Sequence, residues 1–512
     1  MITKYFDKDT TWSRAQLLLF VLGFIIVCIP LFSMDYLITL DGPNHLYSSG
    51  IFYKLLQEQT VYNNYIGFNS EFTPNYFTVI ILGALQKVFS GSIALKIFHF
   101  LHIILLLSGA YFWSNAHASG KRVYPFLVLP FVYSYLFFSG FYNFIFSVSF
   151  LLWVLGFYER MKNKAWRAHH FFILGALLFI TYSTHIISFF FVGLYLAIDQ
   201  LIVLKNHHWN KDRIRHSFYL LFASSPGLIL TFLFMGSRQA EYNWIELSEL
   251  IQRLTSGFSI VIKNETSEEL TAINWSKLIT LALALMLFIY QFFAGKKSWS
   301  LVITTISILV LYFLLPDSVG YASVFSVRIE YIFWLFIIIG ATRAALLNNY
   351  TLSISAIAGL GLLIFQVNAN LPYWKMLNGH AKSIFTATQH VENNTVVYPV
   401  FNSLIWDDYH ISNIMGTTGK DIMILENTSA RQDYFPITYL APFEKCLQTT
   451  MTSNYECNGY SVKIDYLLIV GKYQLDPSNK LAVSLYSLAR NEGEVVFEDD
   501  FVQLLKLPTH QN

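Results

Sequence analysis

Asp41 and His45 stand four residues apart in the stretch Asp41-Gly42-Pro43-Asn44-His45-Leu46-Tyr47, just beyond the first long apolar block. If a helix starts at Pro43, the carboxylate and the imidazole lie near one another on the same side of its first turn. Such a pair can take a proton from a reacting hydroxyl. A plainer reading fits the same residues. Asp before Gly-Pro is a sound helix N-cap, and Pro is favoured at the first helical position. The two roles are compatible, because a cap can fix the direction of a carboxylate.

Ionisable groups in or beside apolar segments are costly, so they are candidates for function. His185 ends the run Thr181-Tyr182-Ser183-Thr184-His185, and Arg328 and Glu330 lie in Ser326-Val327-Arg328-Ile329-Glu330. Lys96 falls one turn inside a second apolar block, and Tyr142-Asn143 sits in a short turn between two others. Glu71, Asn75 and Tyr76 bracket Pro74. Arginine suits bidentate binding of a phosphate or carboxylate. The competing readings are a hydrated histidine at an interface, and Arg and Lys side chains that snorkel to headgroups.

The elements that must position these groups follow from composition. The chain has 512 residues, 54% hydrophobic, 17% aromatic and only 13% charged, with a mean hydropathy of +0.46. Soluble domains are about 25% charged. This excludes a large water-soluble enzyme, a disordered protein, a nucleic-acid binder and a disulfide-rich secreted scaffold. Apolar blocks at 15–34, 92–114, 123–138, 140–158, 169–184, 186–204, 217–235, 276–294, 299–315, 328–347 and 350–367 predict about eleven transmembrane helices. The stretch 76–90 carries Gln86 and Lys87 and is either an interfacial helix or a twelfth span.

The positive-inside rule decides between these. With 76–90 outside the count and the N-terminus inside, most loop Lys and Arg fall on the inner side, including Lys121, Arg122, Arg160, Lys162, Lys164 and Arg167. This orientation (N-in, C-out) places three pieces outside: loop 35–91, loop 236–275, and a tail of residues 368–512. The expected domains are a membrane domain, 1–367, and an extracytoplasmic α/β domain, 368–512. In the tail, Thr395–Val400 and Asp465–Gly471 read as buried strands, Asn479–Arg490 as an amphipathic helix and 494–507 as a hairpin. Cys446 and Cys457 are ten residues apart. In an oxidising space they could pair as a disulfide or remain two free thiols.

One carboxylate and one histidine together, an arginine and a second histidine on the same face, and a tail able to cover them suit group transfer from an anionic lipid donor. Here a resemblance enters. An N-in span, a long outer loop with an acidic residue shortly after that span, many further spans and an outer α/β domain resemble the GT-C superfamily of integral-membrane glycosyltransferases. The wording Asp41-Gly42-Pro43-Asn44-His45, Pro74-Asn75-Tyr76, the Thr184-His185 turn and Arg328 look like a bacterial branch with a D-x-x-x-H first-loop motif. The resemblance implies that Asp41, with His45, is the catalytic pair and that the donor is a polyprenyl-phosphate-linked sugar. It implies that Arg328 and Lys96 hold the phosphate. His185, Glu330, Asn75, Tyr142 and Asn143 would complete the binding site. The enzyme would act on the outer face of the bacterial inner membrane, on a lipid, glycan or protein acceptor. The 139–143 turn lacks a second acidic residue, so a two-carboxylate metal site is not expected; Asp41, His45 and His185 are the residues that could hold a divalent metal. Two other classes share the composition: a transporter or flippase of an anionic lipid or glycan, and a non-catalytic subunit of envelope polysaccharide assembly.

Overall fold

The computed structural model describes residues 14–57, 60–71, 73–116, 123–164, 166–207, 211–236, 241–260, 267–293, 298–320, 323–344, 349–426, 428–431, 435–440, 456–457, 460–461, 463–471 and 480–508. Its helices begin with α1 (Arg14–Ser33), α2 (Gly42–Lys54), α3 (Tyr76–Gln86) and α4 (Gly91–Ser114). A single turn, α5 (Tyr135–Phe138), precedes α6 (Tyr142–Met161), α7 (Ala168–Thr184), α8 (Ile186–His207) and α9 (Lys211–Gly236). Then come α10 (Leu247–Ser256), α11 (Ser267–Phe293), α12 (Trp299–Leu314), α13 (Phe325–Ala344) and α14 (Asn349–Thr388). The tail adds α15 (Thr428–Arg431) and α16 (Lys480–Glu492).

Among the described residues, 7 helices are long and apolar enough to cross a membrane, lying within 16–33, 91–114, 142–161, 186–205, 214–236, 325–343 and 353–388. The protein is a polytopic, mostly helical integral membrane protein. Three more of the expected spans are shorter apolar helices: Ala168–Thr184, Asn274–Tyr290 and Trp299–Leu314. The remaining one, 123–138, is not a continuous α-helix. Pro125 caps a 3₁₀ stretch, Phe126–Tyr133, that contains Pro130, and α5 follows it. Proline lacks the N–H and clashes with the preceding turn, so a regular helix cannot run through this segment. Helix α3 has 11 residues. At 1.5 Å per residue it reaches about 16 Å, roughly half the hydrocarbon core.

The chain divides into two compact units, residues 1–30 with 100–371, and residues 31–99 with 372–512. In the first unit α13 is almost wholly buried and packs on α11 and α12, while α6 packs on α7 and α8. Glycines permit the closest approaches. A Cβ on Gly340 would fall 2.2 Å from Phe288 Cδ2, and one on Gly359 would fall 2.2 Å from the Phe126 carbonyl oxygen. The irregular 126–133 segment is thereby seated against α14, and the Tyr331 hydroxyl donates to the Phe131 carbonyl at 3.1 Å.

The second unit holds β1 (Ile66–Phe68), and the tail supplies most of its remaining strands. Among the described residues of the first unit the strands are the small pair β2 (Tyr242–Asn243) and β3 (Ser318–Val319). Strands β4 (Thr395–Phe401), β5 (Ile422–Ile424), β6 (Ile437–Tyr439), β7 (Glu456–Cys457), β8 (Tyr460–Ser461), β9 (Tyr466–Val470), β10 (Glu494–Glu498) and β11 (Val502–Lys506) follow. A five-stranded sheet runs β10-β11-β9-β4-β5, parallel from β9 through β4 to β5 and antiparallel at β9-β11-β10. All five residues of β9 are buried, as a continuous apolar run in a central strand requires. The two strands, the helix and the hairpin expected in the tail are all present.

Segment 35–91 belongs to this same unit, for a reason visible at β5. That strand is the edge of the sheet, with main-chain groups left to pair. Tyr47 from α2 and Tyr62 both donate their hydroxyls to the Ile422 carbonyl, at 3.0 and 3.1 Å. In return Ile424 N–H donates to Tyr47 (2.9 Å) and Ile422 N–H to Tyr62 (3.1 Å). Strand β1 pairs antiparallel with β6, and Lys54 forms an ion pair with Asp421 at 2.7 Å.

Candidate functional site

Helix α2 starts at Gly42 with Pro43 in its first turn, as expected, and Asp41 occupies the N-cap position. Its main-chain carbonyl accepts the first helical bond, from His45 N–H at 2.9 Å. Its side chain, however, makes no capping bond. The carboxylate turns instead toward the tail, where Asp41 Oδ1 lies 3.4 Å from His410 Nε2. His410 Nδ1 donates to Glu426 Oε1 at 2.7 Å, and Asn413 Nδ2 donates to Glu426 Oε2 at 2.7 Å. The Asp41 side chain is 27% exposed and that of His410 6%. An accessible carboxylate is thus backed by a buried imidazole, itself held by a second carboxylate.

The local folding that sets this geometry is tight. His410 caps the 3₁₀ segment Ile411–Thr417, which packs on α2. A Cβ on Gly416 would fall 2.1 Å from Tyr47 Cδ2, so only glycine admits this approach. Glu426 follows β5, the strand that Tyr47 and Tyr62 pin. Asn44, in the first turn of α2, donates to Ser429 Oγ at 3.0 Å. Glu426 also lines a cavity of ≈ 270 Å³ with Asn402, Tyr409 and Ser412.

His45 is 4% exposed, and its ring lies 5.8 Å from that of Phe435. The histidine that the tail brings to Asp41 is therefore His410, which the i, i+4 spacing does not reveal. Asn75 occupies the N-cap position of α3, is buried, and makes no side-chain cap bond. Lys96 acts on Asp35. The hydrogen bond from Lys382 (2.6 Å), assisted by the Lys96 charge, holds the Asp35 carboxyl below the usual range.

The remaining expected residues belong to the first unit. Arg328 stands over the rings of Phe141, Phe325 and Phe144, at 4.7, 5.7 and 5.9 Å. His185 meets the same Phe144 edge-on at 5.5 Å. Its Nδ1 accepts the Ile187 N–H at 3.2 Å, so a neutral ring carries its proton on Nε2. Tyr142 and Asn143 form the buried first turn of the helix that carries Phe144. Arg328, His185 and the Tyr142-Asn143 turn accordingly gather around one phenylalanine. Glu330 does not join them. Residues two apart on a helix point to different sides, and both Glu330 oxygens accept the Ser259 N–H at 3.2 Å, fully buried.

Among the described residues, no group of three or more His, Cys, Asp or Glu is placed to hold a metal ion, so Asp41, His45 and His185 do not form one. The Cys446–Cys457 pairing lies outside the described residues, since Cys446 is not among them. Sequence reasoning missed His410, Glu426 and Asn413. The only available signal was positional: Glu426 follows the apolar run Ile422-Met423-Ile424-Leu425, and loops at strand ends often carry function.

Many membrane-length helices in one unit, and in the other a mixed sheet whose edge strand is bonded by tyrosines of segment 35–91, define a polytopic membrane protein with an α/β unit. No family model matches the chain, and no curated protein does. Solved structures share its fold. ArnT from Cupriavidus metallidurans bound to undecaprenyl phosphate superposes with a TM-score of 0.57 over 98% of this chain and 99% of that one, at 12% identity. ArnT from the same organism in the apo state gives 0.55, over 96% and 97%, at 11% identity. At such identity the likeness is one of fold. The chain shares the fold of these ArnT structures, a polytopic helical membrane protein with an α/β unit.

Proposed function

We propose that this protein is a membrane glycosyltransferase that moves a sugar from a polyprenyl-phosphate-linked donor to an acceptor hydroxyl at the outer face of the bacterial inner membrane. The reading is supported by a near-full-length likeness of fold to a protein solved with undecaprenyl phosphate. The observation that carries it is Asp41: a carboxylate that does not cap its own helix, remains accessible, and is backed by an imidazole.

In the proposed reaction Asp41 takes the proton of the acceptor hydroxyl. The acceptor oxygen then bonds to the anomeric carbon as the bond from that carbon to the phosphate oxygen breaks. The electron pair leaves with the phosphate, and the displacement inverts the anomeric centre. Arg328 is the proposed cation for the phosphate, since a guanidinium stays charged at any working pH and binds such oxygens bidentately. Lys96 is the second cation of the reading. His185, with its proton on Nε2, would donate to the sugar or phosphate.

The test is transfer from a polyprenyl-phosphate sugar in proteoliposomes. Asp41→Asn keeps the size and removes the base, and should lower turnover on the order of 10²–10⁴-fold. Unchanged turnover would overturn the assignment.

A further inference from the structure

We propose that His410 and Glu426 are positioning residues for Asp41, so that the tail completes the base rather than merely covering it; this rests on Asp41 being the base. Three segments distant in sequence meet here: the start of α2, the 3₁₀ segment after β4, and the turn after β5. The chain of contacts is continuous. Asp41 Oδ1 lies 3.4 Å from His410 Nε2, and His410 Nδ1 lies 2.7 Å from Glu426 Oε1. Asn413, fully buried, holds the other Glu426 oxygen at 2.7 Å.

Chemistry sets the direction of this chain. A carboxylate at Glu426 can only accept, so Nδ1 carries a proton and donates it. In the neutral ring, Nε2 then presents a lone pair toward Asp41. When Asp41 has taken the proton of an acceptor hydroxyl, its new O–H can turn to that lone pair and away from the reacting oxygen. The protonated carboxyl is thus held away from the new glycosidic oxygen and does not return its proton there. Glu426, fixed by Asn413, keeps the ring in the one tautomer that can receive this bond.

The experiment separates this role from a structural latch. Glu426→Gln preserves size and can still accept from Asn413. Its amide must then donate to Nδ1, which moves the ring proton to Nε2, where it bonds to Asp41 and weakens the base. The expected result is a fall in kcat of roughly 10- to 100-fold with the donor KM unchanged, the size seen when a reacting group is misplaced. His410→Ala should show a similar fall, partly restored by added imidazole. A latch would show neither the split between kcat and KM nor the rescue. If Asp41→Asn retains turnover, the base reading itself fails, and this proposal with it. If Asp41→Asn loses turnover while Glu426→Gln and His410→Ala keep kcat within about twofold, the base reading stands and the positioning role is refuted. Should His410→Ala fail to fold, Glu426→Gln alone decides.

Discussion

At the scale of single residues, tertiary contacts add partners that sequence proximity does not show. The tail brings Asp41 a further histidine, His410, beside the His45 four residues along. Arg328 and Glu330 are two apart, yet one is ringed by phenylalanines while the other accepts a buried main-chain N–H. Their substitutions should therefore differ. Arg328→Ala should raise the donor KM about 10- to 100-fold, the worth of a charged hydrogen bond or two, and Arg328→Lys should recover part of it. Equal effects of Lys and Ala on KM would mean that the planar fork is not used. Glu330→Ala should leave the donor KM unaltered while lowering thermal stability, because it strips the buried Ser259 N–H of its acceptor.

At the scale of elements, the candidate base is held by the packing of α2. Tyr47 is fully buried and bonded at its hydroxyl to both Ile422 and Ile424. Tyr47→Phe leaves the Ile424 N–H without that partner and should cost about 1–3 kcal/mol, read as a lowered melting temperature in detergent. Gly416→Ala should cost a similar amount, about 1–3 kcal/mol from overpacking, because the anchored tyrosine cannot move aside from a Cβ 2.1 Å away. The Asp35–Lys382 pair joins the loop start to α14 and sets a pH dependence. Its carboxyl is depressed in the folded protein. Its contribution is therefore present above the ordinary carboxylate pKa and is lost as pH falls through the lowered value. Asp35→Asn should narrow the stability difference between neutral and acidic pH, and an unchanged difference would show that the pair contributes nothing.

At the scale of the whole molecule, charge scarcity means that each buried charge must be satisfied. In the membrane-helix unit Asp199 accepts from Tyr158 (2.6 Å), Lys162 (3.1 Å) and Ser300. Glu159 accepts from Lys162 (2.9 Å) and Tyr195 (2.5 Å). Gln200 extends the network to Ser217 at 3.0 Å. Helices α6, α8, α9 and α12 are tied through one polar knot centred on Asp199. Asp199→Ala leaves Lys162 short of a buried counter-charge and should cost about 3–5 kcal/mol, measured by thermal unfolding in detergent. A loss below about 1 kcal/mol would place the knot among exposed ion pairs of little worth.

Composition and periodicity alone determined that this is a polytopic helical membrane protein with an α/β tail. Apolar block length, and short continuous apolar runs such as those of β4 and β9, are local properties that each segment carries by itself. They also pointed to Asp41, because a proline-led helix start is a local signal. The break at 126–133 was local too, in Pro125 and Pro130, but an apolar count does not register it. What only the tertiary structure decided is the company each group keeps. Segment 35–91 joins the tail because its tyrosines satisfy the open edge of β5. His410 and Glu426 come to Asp41 through that pairing, from more than 300 residues away in sequence. Such contacts depend on which main-chain groups remain unpaired once the sheet has formed, and no window along the chain contains that information.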